Sequence, residues 1–246
     1  MADYNPRVVA SPTAVGVIDA GLRAYMLRVY NYMLAGLALT GVAAWITANI
    51  PAVRNLFFAY NPATGMVGLS ILGWVALIAP FAMVLFLSFR IARMSLPAAR
   101  STFLGYATLM GVSFAPILLL YTGTSVAQVF FITAATFGAM SLWGYTTQRD
   151  LTGMGSFLFM GLIGIVIASV VNLFLHSQPM AWVISVIGVL VFTGLTAYDT
   201  QAIKESYVAG DDGTVMGRKA IFGALRLYLD FINLSLMLLR LLGSRR

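Results

Sequence analysis

Charge is scarce in this chain. Asp, Glu, Lys and Arg make up 9% of its 246 residues, against about 25% in an ordinary soluble domain. A soluble globule must present a polar exterior, and 60% hydrophobic residues leave too little to build one. The absence of cysteine excludes disulfides, thiolate metal sites and a cysteine nucleophile. A single histidine, His176, excludes a multi-histidine metal centre. A net charge of +7 raises the question of nucleic acid. The basic residues are scattered between apolar runs, however, so they read as topology signals and no nucleic-acid partner is expected. These deficits exclude a soluble enzyme, a disordered chain and a secreted disulfide scaffold. What the chain has in excess is long apolar runs, with a mean hydropathy of +0.90. The fold class this implies is an all-α integral membrane protein, with lipid as its first partner.

A spanning helix needs about 20 mostly apolar residues. Six clear stretches lie near 29–50, 66–89, 101–121, 125–147, 156–175 and 180–199. Polar or Pro-containing breaks separate them, among them Asn61-Pro62, Arg90 to Arg100, Gln148-Arg149-Asp150 and His176 to Pro179. A seventh stretch, 219–242, carries Arg226, Asp230, Asn233 and Arg240. Steps of 4, 3 and 7 put these four on one helical face. Such a stripe cannot face lipid, so this span is expected inside the bundle or lining a wet cavity. Residues 1–25 read as a polar N-terminal segment without a cleavable signal, and 26–246 as one transmembrane domain. The connection 200–218 is the one sizeable polar loop, and Asp211 and Asp212 within it read as a solvated turn.

Basic residues alternate between loops. Arg7, Arg23 and Arg28 precede span 1, Arg90, Arg93 and Arg100 follow span 2, Arg149 follows span 4, and Lys204, Arg218 and Lys219 follow span 6. The positive-inside rule then puts the N-terminus in the cytoplasm of a cell whose inner membrane holds the protein. Arg240, Arg245 and Arg246 conflict with this, since seven spans put them outside. Either span 7 crosses against its charge or it is re-entrant.

Of eight acids, only Asp199 and Asp230 fall within spans. A charge at mid-bilayer costs about 2.5–3.5 kcal/mol on insertion scales, so such a residue needs a partner. Spans 6 and 7 are consecutive and can be antiparallel neighbours. Asp199 ends span 6, where the helix dipole disfavours an anion. Asp230 lies ~16 Å into span 7. The two meet only if the seventh helix begins before the membrane surface. If they meet, they share a proton and titrate in coupled steps. Once both are ionised they offer oxygen ligands of the kind Ca²⁺ takes. The alternative is that Asp230 pairs with Arg226 at i, i+4 and Asp199 caps the membrane edge near Lys204. Arg90 and Arg93 are rival partners for the acids.

Three strings carry a resemblance: Trp143-Gly-Tyr-Thr-Thr-Gln-Arg-Asp150, Tyr198-Asp-Thr-Gln201 and Leu227-Tyr-Leu-Asp-Phe-Ile-Asn233. Over residues 20–243 the chain resembles the Bax inhibitor-1 (TMBIM) family, as a bacterial member. The resemblance implies seven helices, the seventh central with two three-helix layers around it. It implies a non-enzymatic, pH-sensitive Ca²⁺ leak with Asp199 and Asp230 as a di-aspartyl sensor, Ca²⁺ and protons as the ions handled, and no cofactor. It also implies that an arginine of span 2 exchanges partners with the aspartate of span 6. Arg90 is the positional match and Arg93 the second choice. Some bacterial relatives bind and inhibit a membrane ATP-dependent protease, so a non-transporting regulator is the alternative reading. A third reading, an intramembrane aspartyl protease, is disfavoured because Leu227-Tyr-Leu-Asp230 departs from the Gly-x-Gly-Asp expected there.

Overall fold

The computed structural model describes residues 20–61 and 66–246. Most of the polar segment expected over 1–25, with Asp3, Arg7 and Asp19, lies outside the described residues, as does Pro62. Among the described residues, seven helices are long and apolar enough to cross a membrane. They are α1 (Ala20–Asn49), α3 (Ile71–Arg90), α4 (Leu96–Leu120), α5 (Gly123–Thr146), α6 (Thr152–Leu175), α7 (Gln178–Glu205) and α8 (Gly213–Leu242). A short helix α2 (Pro51–Phe57) and a hairpin of β1 (Phe58–Asn61) with β2 (Met66–Leu69) join α1 to α3.

Local chemistry sets the helix starts. Ser70, Ser95, Thr122 and Ser177 each accept a backbone N–H in the first turn of the helix that follows. Pro97 and Pro179 stand in the first turns of α4 and α7, where no N–H is needed. His176 ends α6 at φ 50°, a left-handed cap, and Asn172 Oδ1 accepts from Ser177 N at 3.1 Å. Asn172 therefore closes its own helix end rather than bridging two helices.

Several boundaries differ from expectation, beginning with α1, which starts at Ala20 and not near 29, inside the segment expected to be polar. Residues 66–69 are strand, because the apolar run at the start of the second span closes a hairpin before Ser70 caps α3. The sixth span does not stop at Asp199; α7 continues to Glu205, so Asp199 is inside a helix and not at its end. The last helix begins at Gly213, well ahead of residue 219. Asp212 caps it, with Oδ1 accepting from Thr214 N at 2.7 Å and Val215 N at 2.8 Å. Asp211 pairs with Lys219 Nζ at 2.5 Å. Both loop acids thus have definite partners.

The bundle is apolar outside as well as inside. Phe81, Phe131 and Phe174 stand exposed on spanning helices, where lipid is the solvent. The exception is α8, whose central window is 67% buried, against 11% for α6. It packs against α1, α4, α5 and α7. Tyr228 carries much of this contact: its hydroxyl meets Thr40 Oγ1 at 2.7 Å, and its ring lies edge-on to Phe103 and Tyr106. Outward from α8, α3 packs on α4 and α6 on α7.

α8 is an uninterrupted helix that reaches the opposite end of the bundle. There the last residues bond to the turn between α4 and α5. Thr122 N donates to Ser244 O at 3.1 Å, Arg246 N to Leu120 O at 3.0 Å, and Ser244 N to Ser125 Oγ at 2.9 Å. The guanidinium of Arg245 lies over the Tyr121 ring. The chain end is therefore at the α4–α5 turn, away from the loops that carry Arg90, Arg149 and Lys219. Of the two readings of the seventh span, a helix long enough to cross is the one observed, and a re-entrant turn is not.

Close backbone approach fixes one helix contact. A side chain on Gly144 of α5 would run into the Ala197 carbonyl of α7. Gly138, on the same helix, has nothing within 4 Å of its would-be Cβ. Gly144→Ala is expected to cost about 1–3 kcal/mol through overpacking, while Gly138→Ala should be neutral or stabilising, by about 1 kcal/mol. Thermal unfolding of both variants in detergent micelles checks the contrast.

The Asp212 cap gives a pH-dependent test. Bonds from Val215 N–H and Thr214 N–H hold its carboxyl below the usual value. A depressed acid stabilises the fold above its ordinary pKa and ceases to do so as pH falls through its folded pKa. Asp212→Ala should therefore lower Tm at pH 7, and the gap to the parent protein should close below about pH 4. A gap unchanged down to pH 3 would show that the cap does not depend on the carboxylate.

Candidate functional site

Asp199 and Asp230 come together in the interior. Asp199 is 7% exposed and Asp230 5%. Both line one cavity, and their carboxyl groups are close enough to interact with each other. The early start of α8 makes this meeting geometrically feasible, because it brings Asp230 level with a residue more than a turn inside α7.

Arg226 completes the group. It lies one turn before Asp230 on α8, yet its nearest carboxylate oxygen is Asp199 Oδ1 of α7, 3.1 Å from Nη2. The spacing had offered a pair within one helix; the long side chain instead bridges two. The guanidinium also lies over the Phe222 ring at 5.9 Å, which leaves part of it exposed. Asp199 Oδ1 and Asp230 Oδ2 have no hydrogen-bond partner among the described residues. The contact from Arg226 is thus an ion pair without the alignment of a hydrogen bond.

A cavity of about 440 Å³ opens onto this group, lined on the α6 side by Gly155, Ser156 and Phe159. Tyr198 and Asn233 add polar atoms to its wall. Asn233 Nδ2 donates to Leu229 O at 2.9 Å, so its amide is tied to its own helix. Arg240, the last member of the expected stripe, is exposed in the final turn of α8, far along the helix from the acids.

Arg90 and Arg93 are not brought to the acids. Both are exposed and neither makes an ion pair among the described residues. The reason is topological: α3 packs on α4 and α2, and the chain turns at Ile91–Arg93 before reaching α7. Arg218 reaches this same turn, donating to Ala92 O at 2.8 Å and Met94 O at 3.2 Å. The two acids fall short of a resident metal centre, since no cluster of three His, Cys, Asp or Glu occurs among the described residues.

Two features beside the acids were not foreseen. Gln201 clasps the α5–α6 loop, accepting from Leu151 N at 2.9 Å and donating to Arg149 O at 2.8 Å. Thr200 Oγ1 meets Ser141 Oγ at 3.0 Å, and Ser141 meets Tyr30 Oη at 2.5 Å, so a hydroxyl run joins α7, α5 and α1. The signal was present in Tyr198-Asp199-Thr200-Gln201, where consecutive polar residues in a span require partners.

Leu151 is buried, so losing Gln201 strands its N–H. Gln201→Ala is expected to cost about 1–3 kcal/mol. Amide exchange at Leu151 should accelerate while exchange in α8 stays slow, and hydrogen-exchange mass spectrometry reads both.

Comparison with known proteins agrees with this architecture. The family model "Inhibitor of apoptosis-promoting Bax1" matches residues 22–246. The chain is 46% identical to RP147 of Rickettsia prowazekii (strain Madrid E) over the whole of both chains. It is 47% identical to the inner membrane protein YbhL of Escherichia coli (strain K12), over 92% of this chain and 94% of that one. A Caulobacter vibrioides protein is 42% identical, again over both full lengths. A match of this extent, on a chain of seven spanning helices, makes the protein an integral membrane protein and a member of the Bax inhibitor-1 family.

Proposed function

We propose that the protein is a cation leak, with Ca²⁺ as its ion, gated by protonation of the Asp199–Asp230 pair. The observation that carries this reading is the approach of two buried carboxyls on adjacent helices beside a polar cavity. With one proton shared between them, the acids hold α7 and α8 together. When that proton leaves, two anions face each other at low dielectric, and their repulsion loosens the contact. The doubly ionised pair then presents oxygen ligands to a passing cation. Arg226 takes the role of competing cation, since it already touches Asp199. Arg90 and Arg93 act as membrane anchors. The membrane is the bacterial inner membrane, a reading supported by the relative YbhL, with the N-terminus in the cytoplasm, a reading supported by the loop distribution of Arg and Lys.

The sign of the pH dependence follows. Protonation closes the path and deprotonation opens it, so Ca²⁺ entry into liposomes holding only this protein should rise from pH 5 to pH 8. The Asp199→Asn, Asp230→Asn double variant keeps the hydrogen-bonding shape without the charge and should give a flat profile. Arg226→Gln should move the wild-type profile along the pH axis without abolishing it. A wild-type protein no leakier than empty liposomes at any pH would sink the channel reading. It would leave the regulator of a membrane protease, for which partner capture is the assay.

A further inference from the structure

Away from the acids, a cleft of about 510 Å³ opens between α1 and α5. Its walls are Met26, Leu27 and Leu34 from α1 and Phe137, Gly138 and Leu142 from α5. Its floor is polar at one point, where Tyr30 Oη meets Ser141 Oγ. From Arg23 to Leu34 the cleft follows α1 for ~16 Å, about half of a ~30 Å hydrocarbon layer. It therefore covers the depth of one leaflet. Gly138 leaves the cleft open on the α5 side: it is exposed, and an added Cβ would meet nothing within 4 Å.

One end of the cleft is cationic. Arg23 lines it, is exposed, and makes no ion pair among the described residues. Tyr145 lines the same end, and Lys204 Nζ sits against it, donating to Tyr145 O at 2.9 Å and lying over its ring. None of the lining residues is acidic. This end lies beside the α5–α6 and α7–α8 loops, the basic side of the bundle. An open apolar cleft one leaflet long, with cations only at its interfacial mouth, has the chemistry of a phospholipid site.

We propose that this cleft holds one anionic phospholipid, with the phosphate on Arg23 and an acyl chain laid between α1 and α5. The guanidinium offers a phosphate two parallel N–H donors. A zwitterionic lipid would bring its ammonium against Arg23 and Lys204, and so binds less well. Beyond Leu34 the same two helices, with α4 and α8, enclose a second apolar cavity of about 190 Å³. The edge-on rings of Phe137, Phe231 and Phe130 stand along the way to it. The chain terminus of the lipid lies toward that wall.

Native mass spectrometry of the full-length protein in mixed micelles tests this, with phosphatidylglycerol and phosphatidylcholine of identical chains as the probes. One phosphatidylglycerol per chain should survive activation that strips phosphatidylcholine. Gly138→Phe fills the slot in open space and should abolish retention. Arg23→Gln, an exposed change, should weaken phosphatidylglycerol about tenfold, the loss of one charge-assisted bond, and leave phosphatidylcholine unchanged. Equal retention of the two lipids by the wild type would overturn the proposal, as would a Gly138→Phe variant that retains phosphatidylglycerol. So would a dimer that Gly138→Phe breaks without altering lipid retention, because the cleft would then be a contact between copies. Circular dichroism of each variant, expected to match the wild type, separates these outcomes from misfolding.

Discussion

Two buried carboxyl groups, with the half-exposed guanidinium of Arg226 beside them, set the terms on which α8 packs. A carboxylate at membrane depth has few ways of being satisfied. Asp230 sits against Asp199, which Arg226 pairs in turn, and this places one face of α8 against α7. The opposite face then has to be apolar and must find protein or lipid. It finds protein: Tyr228 against Thr40, Phe103 and Tyr106, and Phe231 against Phe130 and Phe137. Turning α8 half-way about its axis would send Asp230 toward the aromatic wall and Tyr228 toward the cavity beside Asp199. Burial of the seventh span, the least apolar by sequence pattern, follows from that constraint.

The group is also poorly saturated, and this is informative. A purely structural ion cluster in a low-dielectric interior needs its remaining lone pairs filled, or it loses more in desolvation than it gains in attraction. Here one oxygen of each acid lacks a hydrogen-bond donor, and Arg226 reaches only Asp199. Three charged groups in two helices, with room beside them in a cavity of about 440 Å³, can redistribute their contacts without breaking any helix. Gln201, Thr200 and Lys204 hold the surrounding turn of α7 to α5 and the α5–α6 loop by fixed bonds. The acids are thus the loosely held members of an otherwise tightly held segment.

How far the sequence told this depends on which physics each feature answers to. The seven spans were legible because bilayer thickness imposes a length that apolar runs must meet. The approach of Asp199 to Asp230 was one of two open readings: the cost of intramembrane acids singled out both residues, but spacing equally allowed Asp230 to pair with Arg226. Helix ends were less legible. Apolarity alone cannot separate Met66–Leu69 as strand from the helix that Ser70 caps, and hydropathy fades at Asp199 although helical bonding continues to Glu205. The partner of Arg226 was not legible at all. Spacing puts Arg226 and Asp230 on one face, but a flexible arginine reaches across to whichever neighbouring helix presents a carboxylate. Nothing in the chain pattern states that α3 turns away before Arg90 can compete.

The cleft and the acid pair lie on different sides of α7 and α8, yet they are not independent. The hydroxyl run from Tyr30 through Ser141 to Thr200 starts at the floor of the α1–α5 cleft and ends one residue from Asp199. Gly144 packs against the backbone of Ala197, so α5 cannot shift along α7 without moving that segment. Spreading α1 from α5 therefore acts on Thr200 through two short hydrogen bonds, and displacing α5 acts on α7 through a backbone contact. Interiors packed this closely yield by discrete rearrangement rather than by gradual deformation. The helix that walls one cavity is thus bonded to the helix that carries the other's acid.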